Sequence, residues 1–297
     1  MGYLFLAVAL LCGSTKGYCG KRASGLLQGY TGSTAGNLLR ISACIVISFI
    51  LVVTCGQLSG LGLSLPALGV CALSGLSTAA FSILWMVCVR KSAYMMLDVF
   101  IAAGMLVPLI LCNFFYQEQI SLLQWVGVAL TLLAVLIMCS YNNTIKAKLT
   151  LPGLLLLLMT GLFNGTTDFS QKMIVKSFPE VSNVVFNFYT YLFAVVVLLI
   201  AFVFLRLRFP GEGSDLAVGL KKALPLLLIM AATLFGSNFF KTEAAKHLDA
   251  AVLFPLTHGC TLILSSAMAA LFFKEKITWK SILGLSLIFV AMVIINL

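Results

Sequence analysis

Two ionisable side chains interrupt apolar stretches where a charge is costly: Asp168, in LFNGTTDFSQK, and His258, in AVLFPLTHGCTLIL. An ionisable residue inside a membrane-length run needs a partner, a proton or a solute, and an imidazole titrates near neutral pH. Polar groups recur around both at helical spacing. Asn164, Thr167, Asp168, Gln171 and Lys172 follow i, i+3, i+4, i+7, i+8; Asn183, Asn187, Thr190 and Tyr191 form a second stripe. Phe254, Thr257, His258, Thr261 and Ser265 form a third, and Ser74, Ser77, Thr78, Phe81, Ser82 and Trp85 a fourth. Such residues suit reversible binding of a small polar solute. We expect Asp168, His258, Asn164, Asn187, Tyr191, Asn238 and Trp85 to form a substrate site. Asp168 would contact substrate or a coupling proton and His258 would line the cavity. The amides and the tyrosine would supply neutral hydrogen bonds, and Trp85 an aromatic wall suited to an amine. Blander roles compete: Asp168 could pair with Lys172 one turn on, His258 could bond a neighbouring helix, and the Ser and Thr residues could glue helices together.

Catalysis fits the same residues poorly. The sequence holds no HExxH, GxSxG or Walker motif and only two histidines, so no catalytic residue, metal ligand or cofactor is expected. The nine cysteines show no CxxC or Cys/His cluster and read as small buried residues.

The elements that must position the site are read from composition. Of 297 residues, 61% are hydrophobic and 9% charged, which no aqueous fold of this size could cover, so the bilayer is the solvent. The net charge of +10 is spread over short loops, a pattern of membrane topology and not of nucleic-acid binding. With roughly 20 apolar residues needed per span, the reading is ten spans. They run over about 2–22, 38–58, 65–89, 94–115, 122–140, 151–172, 182–205, 223–245, 250–273 and 279–297. The apolar N-terminus lacks a basic flank and runs a full span, so it is kept as a helix. The longest connections are then 23–37 and 206–222. Pro66, Pro152 and Pro225 fall in first turns, whereas Pro108 and Pro255 lie within spans and should kink them or open their ladders.

The chain repeats itself. FYQEQISLLQWVGVALTLLAVLI from Phe115 aligns without a gap to FFKEKITWKSILGLSLIFVAMVI from Phe272. Each copy is a polar turn around a glutamate, Glu118 or Glu275, followed by the last span of its half; both glutamates are expected to cap helix ends. Two halves follow, residues 1–140 and 150–297. Five spans per half is odd, so the second half enters the membrane in the opposite sense. Fourteen of the 19 basic residues, Arg40 among them, fall after odd-numbered spans, which places those loops in the cytoplasm and both termini outside. Sliding span six onto span one sets its polar face against Gly13, Lys16, Gly17, Gly20 and Lys21. Gly13 and Gly17 form a GxxxG pair, and Lys16 is expected to snorkel toward Lys21.

The five-plus-five repeat, the turns Glu118-Gln-Ile-Ser121 and Glu275-Lys-Ile-Thr278, the glycine-containing last helix of each half and Arg40 together resemble the drug/metabolite transporter superfamily, in its EamA-type branch. The tryptophan-glycine often seen in the first helix of each half is replaced by Cys12-Gly13 and Phe163-Asn164. The resemblance implies an all-α integral membrane protein of ten helices around a central cavity, working by alternating access. The expected function is secondary transport of a small polar metabolite, an amino acid or amine, across the cytoplasmic membrane. Its partners would be that solute, the lipid bilayer and a coupling proton, in a monomer or homodimer, without nucleic acid. A membrane-embedded enzyme or a channel is the alternative.

Overall fold

In hydrocarbon a backbone amide has no water to bond, so apolar runs close their hydrogen bonds within themselves as helices. The computed structural model describes residues 1–27, 29–91, 94–139, 151–209, 216–274 and 278–295, and every regular element among them is helical. The first half comprises α1 (Gly2–Ser24), α2 (Gly29–Thr54), α3 (Leu65–Lys91), α4 (Tyr94–Ala103), α5 (Leu106–Tyr116) and α6 (Leu122–Cys139). The second comprises α7 (Leu151–Ser177), α8 (Asn183–Arg208), α9 (Leu216–Ala245), α10 (Ala250–Phe273) and α11 (Trp279–Ile295). Helices α4 and α5 form one apolar segment, Leu97–Tyr116, broken around Gly104, so the described residues make ten α-helical segments.

Six single helices (α1, α2, α3, α8, α9 and α10) and the α4–α5 pair are long and apolar enough to cross a bilayer. Helix α7 has the length, at 27 residues, but its second half carries the polar stripe. Helices α6 and α11 are shorter, pack on each other, and turn residues such as Trp125, Leu136, Phe289 and Val293 outward as a lipid-facing surface.

Two boundaries differ from the sequence reading. The stretch 23–37 was expected as a connection, yet α2 begins at Gly29 and buries Thr31 to Asn37. Ser33 and Thr34 return their hydroxyls to carbonyls four residues back. At Gly36 a Cβ would meet Leu27 Cδ1 at 2.4 Å, so small polar residues here mark close packing and not a loop. Likewise α9 starts at Leu216, which places Pro225 inside the helix and not in its first turn. The break in span four sets Pro108 near the start of α5, where its missing N–H costs little.

The packing pattern repeats between halves. Helix α1 lies on α9 as α7 lies on α3, and α3 meets α8 as α9 meets α2. Helix α2 packs on its counterpart α8, the α4–α5 span on α10, and α6 on α11, as elements beside a pseudo-two-fold axis do. The helix-ending residue before each glutamate of the sequence repeat has the same backbone conformation. Gln117 and Lys274, aligned in the repeat, are the non-glycine residues with positive φ among those described, each at 53°. Glycines set the tightest contact: a Cβ on Gly161 would lie 2.2 Å from the Phe100 carbonyl oxygen, and one on Gly165 2.1 Å from that of Gly104. Helix α7 therefore rests backbone to backbone on the break in span four, one turn before Asp168.

Candidate functional site

Asp168 projects from α7 into the interior of the bundle and is fully buried. Its Oδ1 accepts from Lys241 Nζ of α9 at 2.5 Å, and its Oδ2 lies 2.9 Å from His258 Nε2 of α10. A carboxylate paired with a lysine can only accept, so the imidazole donates through Nε2. One side chain thus ties three helices together through charge-assisted bonds, the kind of arrangement that makes a buried charge tolerable.

Beside this triad lies a cavity of two adjoining compartments. Lys16, Phe81, Trp85, Asn164, Ser237 and Lys241 line both, so α1, α3, α7 and α9 share the wall between them. The first compartment adds Arg40, Thr78, Ser82, Thr167, Leu234 and Asn238. The second adds Gly13, Gly17, Asp98, Thr257, His258 and Thr261 among others. The GxxxG pair of α1 therefore opens space in the second compartment. Gly20 makes room for the aromatic wall, since a Cβ there would meet the Trp85 ring at 2.4 Å.

Of the residues expected from sequence, Trp85, Asn164, Asn238 and His258 line the cavity, with Asp168 bonded directly behind Lys241. Asn187 and Tyr191 line neither compartment. Asn187 donates to the Asn183 carbonyl of its own helix at 2.7 Å, and Tyr191 accepts from Asn238 at 3.0 Å, which orients that amide from behind. Trp85 faces cations, Lys16 and Lys241, in both compartments.

Four basic residues stand elsewhere than the sequence suggested. Lys172 does not pair with Asp168: it donates to the carbonyls of Ala245 and Leu248 and lies 3.4 Å from Glu118. Lys241, one of the five basic residues outside the odd-numbered loops, is the partner of Asp168. Lys16 lines both compartments, where it was expected to snorkel away. Arg40 is no loop residue: it is buried in α2, and its Nη2 donates to Ser82 Oγ at 2.8 Å. The signal for Lys241 was present, because Ser237, Asn238 and Lys241 share one face of α9 at helical spacing. Asp98, also missed, is an ionisable residue in span four.

A separate network fastens the end of the molecule formed by the loops after even-numbered spans. Glu118 Oε2 accepts the Ala250 N–H at 2.7 Å, capping α10 from the other half, while its Oε1 lies 3.2 Å from Lys176. At the same end Asn183 donates to Glu243, and the Tyr116 and Ser177 hydroxyls meet at 2.7 Å. Glu275, the counterpart of Glu118, lies outside the described residues.

Residues 151–297 match the model of the EamA-like transporter family. No curated protein matches the chain. A solved crystal structure, described only as that of a protein, superposes with a TM-score of 0.71 at 12% identity, over 99% of this chain and 95% of the other. At that identity the likeness is one of fold, and it extends along the whole length. Residues 151–297, nearly half of the chain, are thus an EamA-like transporter unit, of the drug/metabolite transporter superfamily, within a multi-pass membrane protein.

Proposed function

We propose that the protein is a secondary carrier that moves a small polar metabolite across the cytoplasmic membrane by alternating access. Its two five-helix units, residues 1–140 and 150–297, would rock about the shared cavity. The observation that carries this reading is the polar cavity itself, walled by α1, α3, α7 and α9 and backed by the buried Asp168–Lys241–His258 triad. Polar groups in hydrocarbon are retained where they meet water, solute or one another. The Glu118 network fastens one end of the cavity and supplies a gate that must release during the cycle. Protonation of the Asp168–His258 pair would weaken its hold on Lys241, which couples the triad to proton movement.

The charge excess behind the orientation with both termini outside is unaffected by the site. Placing Arg40 and Lys241 within the helices takes one basic residue from each side of the loop count and leaves the excess on the side of the odd-numbered loops. Counterflow in proteoliposomes tests the carrier reading. A carrier shows saturable exchange stimulated by unlabelled solute on the far side. Flux that neither saturates nor shows trans-stimulation indicates a channel, and turnover of a lipid or peptide bond an enzyme.

A further inference from the structure

We infer that the transported solute is an organic anion, held by its carboxylate or phosphate group between Lys16 and Arg40. The inference deepens the carrier reading and rests on it. Every charged side chain lining the first compartment is a cation: Lys16, Arg40 and Lys241. Lys241 is neutralised from behind by Asp168. Neither Lys16 nor Arg40 belongs to an ion pair among the described residues.

Arg40 is the sharper case. It is 3% exposed, Nη2 donates to the neutral Ser82 hydroxyl, and Nε has no hydrogen-bond partner. A guanidinium that stays charged in a nearly dry wall calls for a counterion, and its planar fork matches the two oxygens of an oxyanion. Asn37 donates to the Ser82 carbonyl at 2.8 Å, which holds α2 and α3 in the register that aims Arg40 at the cavity. Lys16 reaches the same space from α1, so the two cations come from different helices.

The acidic groups are accounted for. Asp98 lines the second compartment together with Lys16, and Asp168 serves Lys241 and His258. Among the described residues, three cations line the cavity and two carboxylates stand by, Asp98 in the second compartment and Asp168 behind Lys241; a bound monoanion offsets the excess. An amine, which Trp85 alone had suggested, would enter against Lys16, Arg40 and Lys241. Trp85 and Phe81 then flank the carbon skeleton of the acid, and Asn164 offers it a neutral hydrogen bond.

The test is thermal unfolding of the purified full-length protein with four probes: succinate, glycerol 3-phosphate, glycerol and putrescine. Each is then tried for counterflow in proteoliposomes. A ligand of the folded state raises Tm with concentration, and we expect this from at least one acid and from neither of the others. The better of the two acids tells a carboxylate site from a phosphate site. In Lys16→Gln and Arg40→Gln the apparent Kd should rise about tenfold or more, as expected for losing a charge-assisted bond. Lys16→Gln removes no ion pair among the described residues, so it reports on binding even if Arg40→Gln folds poorly. Stabilisation by putrescine or glycerol with both acids inert overturns the anion site and leaves the carrier reading standing. So does an acid whose affinity is unchanged in both variants. Stabilisation by an acid that is never exchanged supports the site and removes the carrier reading.

Discussion

Asp168 of α7 and Lys241 of α9, 73 residues apart in sequence, meet at 2.5 Å with the carboxylate wholly shielded from solvent. The pair is a fastening between helices as much as a feature of the site. Removing one partner strands the other as a buried charge, which costs roughly 3–5 kcal/mol, whereas replacing both with matched neutral groups is often near neutral. Asp168→Asn should therefore lower Tm strongly, and Asp168→Asn combined with Lys241→Met should recover much of the loss. A thermal-unfolding double-mutant cycle measures the coupling; additive losses would mean that the two side chains do not hold each other.

The second prediction concerns pH. Proton coupling through the Asp168–His258 pair predicts initial uptake rates that vary with pH, and Asp168→Asn and His258→Gln should flatten that profile. Full transport with an unchanged profile in both variants would remove these residues from the mechanism.

Glu118 gives a contrasting case. Its bonds to the Ala250 N–H, Lys172 and Lys176 join the halves through residues that line neither compartment. Glu118→Gln should lose about 1–3 kcal/mol of stability, seen as a lower Tm, with solute affinity unchanged. The same outcome is expected for Glu275→Gln. Loss of binding in a well-folded variant of either would move that glutamate into the site.

Glycine substitutions test the seating of α7 on span four. Gly161→Ala and Gly165→Ala drive a methyl into a backbone oxygen at 2.2 and 2.1 Å, and backbone cannot step aside as a side chain can. Both should sharply reduce the folded, monodisperse fraction in size-exclusion chromatography. Gly69, in α3, has nothing within 4 Å of its added Cβ. Gly69→Ala should leave stability unchanged or raise it by up to about 1 kcal/mol.

What the sequence made legible was whatever it encodes locally. Apolar run length marked the spans, and the ungapped match around Glu118 and Glu275 marked the repeat. The shared φ of Gln117 and Lys274 shows that one pair of matched residues ends its helix in the same way. Part of each stripe lines the cavity (Thr78, Phe81, Ser82 and Trp85 on α3, Asn164 and Thr167 on α7, Thr257, His258 and Thr261 on α10), because an i, i+3, i+4 pattern fixes a helix face. What was hidden depends on distant partners. No spacing rule links Asp168 to Lys241, so Lys172, one turn away, looked like its natural counterion. The segment from Gly29 to Asn37 has the composition of a loop in water, yet between packed helices the same small residues permit close approach. Arg40 was counted with the loop charges for the same reason, since its helix was thought to begin two residues earlier and not at Gly29.

The account turns most directly on whether the cavity opens to each side of the membrane in turn. Ser237 lies in the wall common to both compartments, so a cysteine there reports on the solute path. The measurement is labelling of Ser237→Cys by a membrane-impermeant thiol reagent, in a chain whose nine native cysteines are replaced. The reagent is added to sealed vesicles from either face, with and without the transported solute. Alternating access predicts labelling from both faces at rates that solute shifts in opposite directions. Labelling from one face only, unaffected by solute under all conditions, would contradict it.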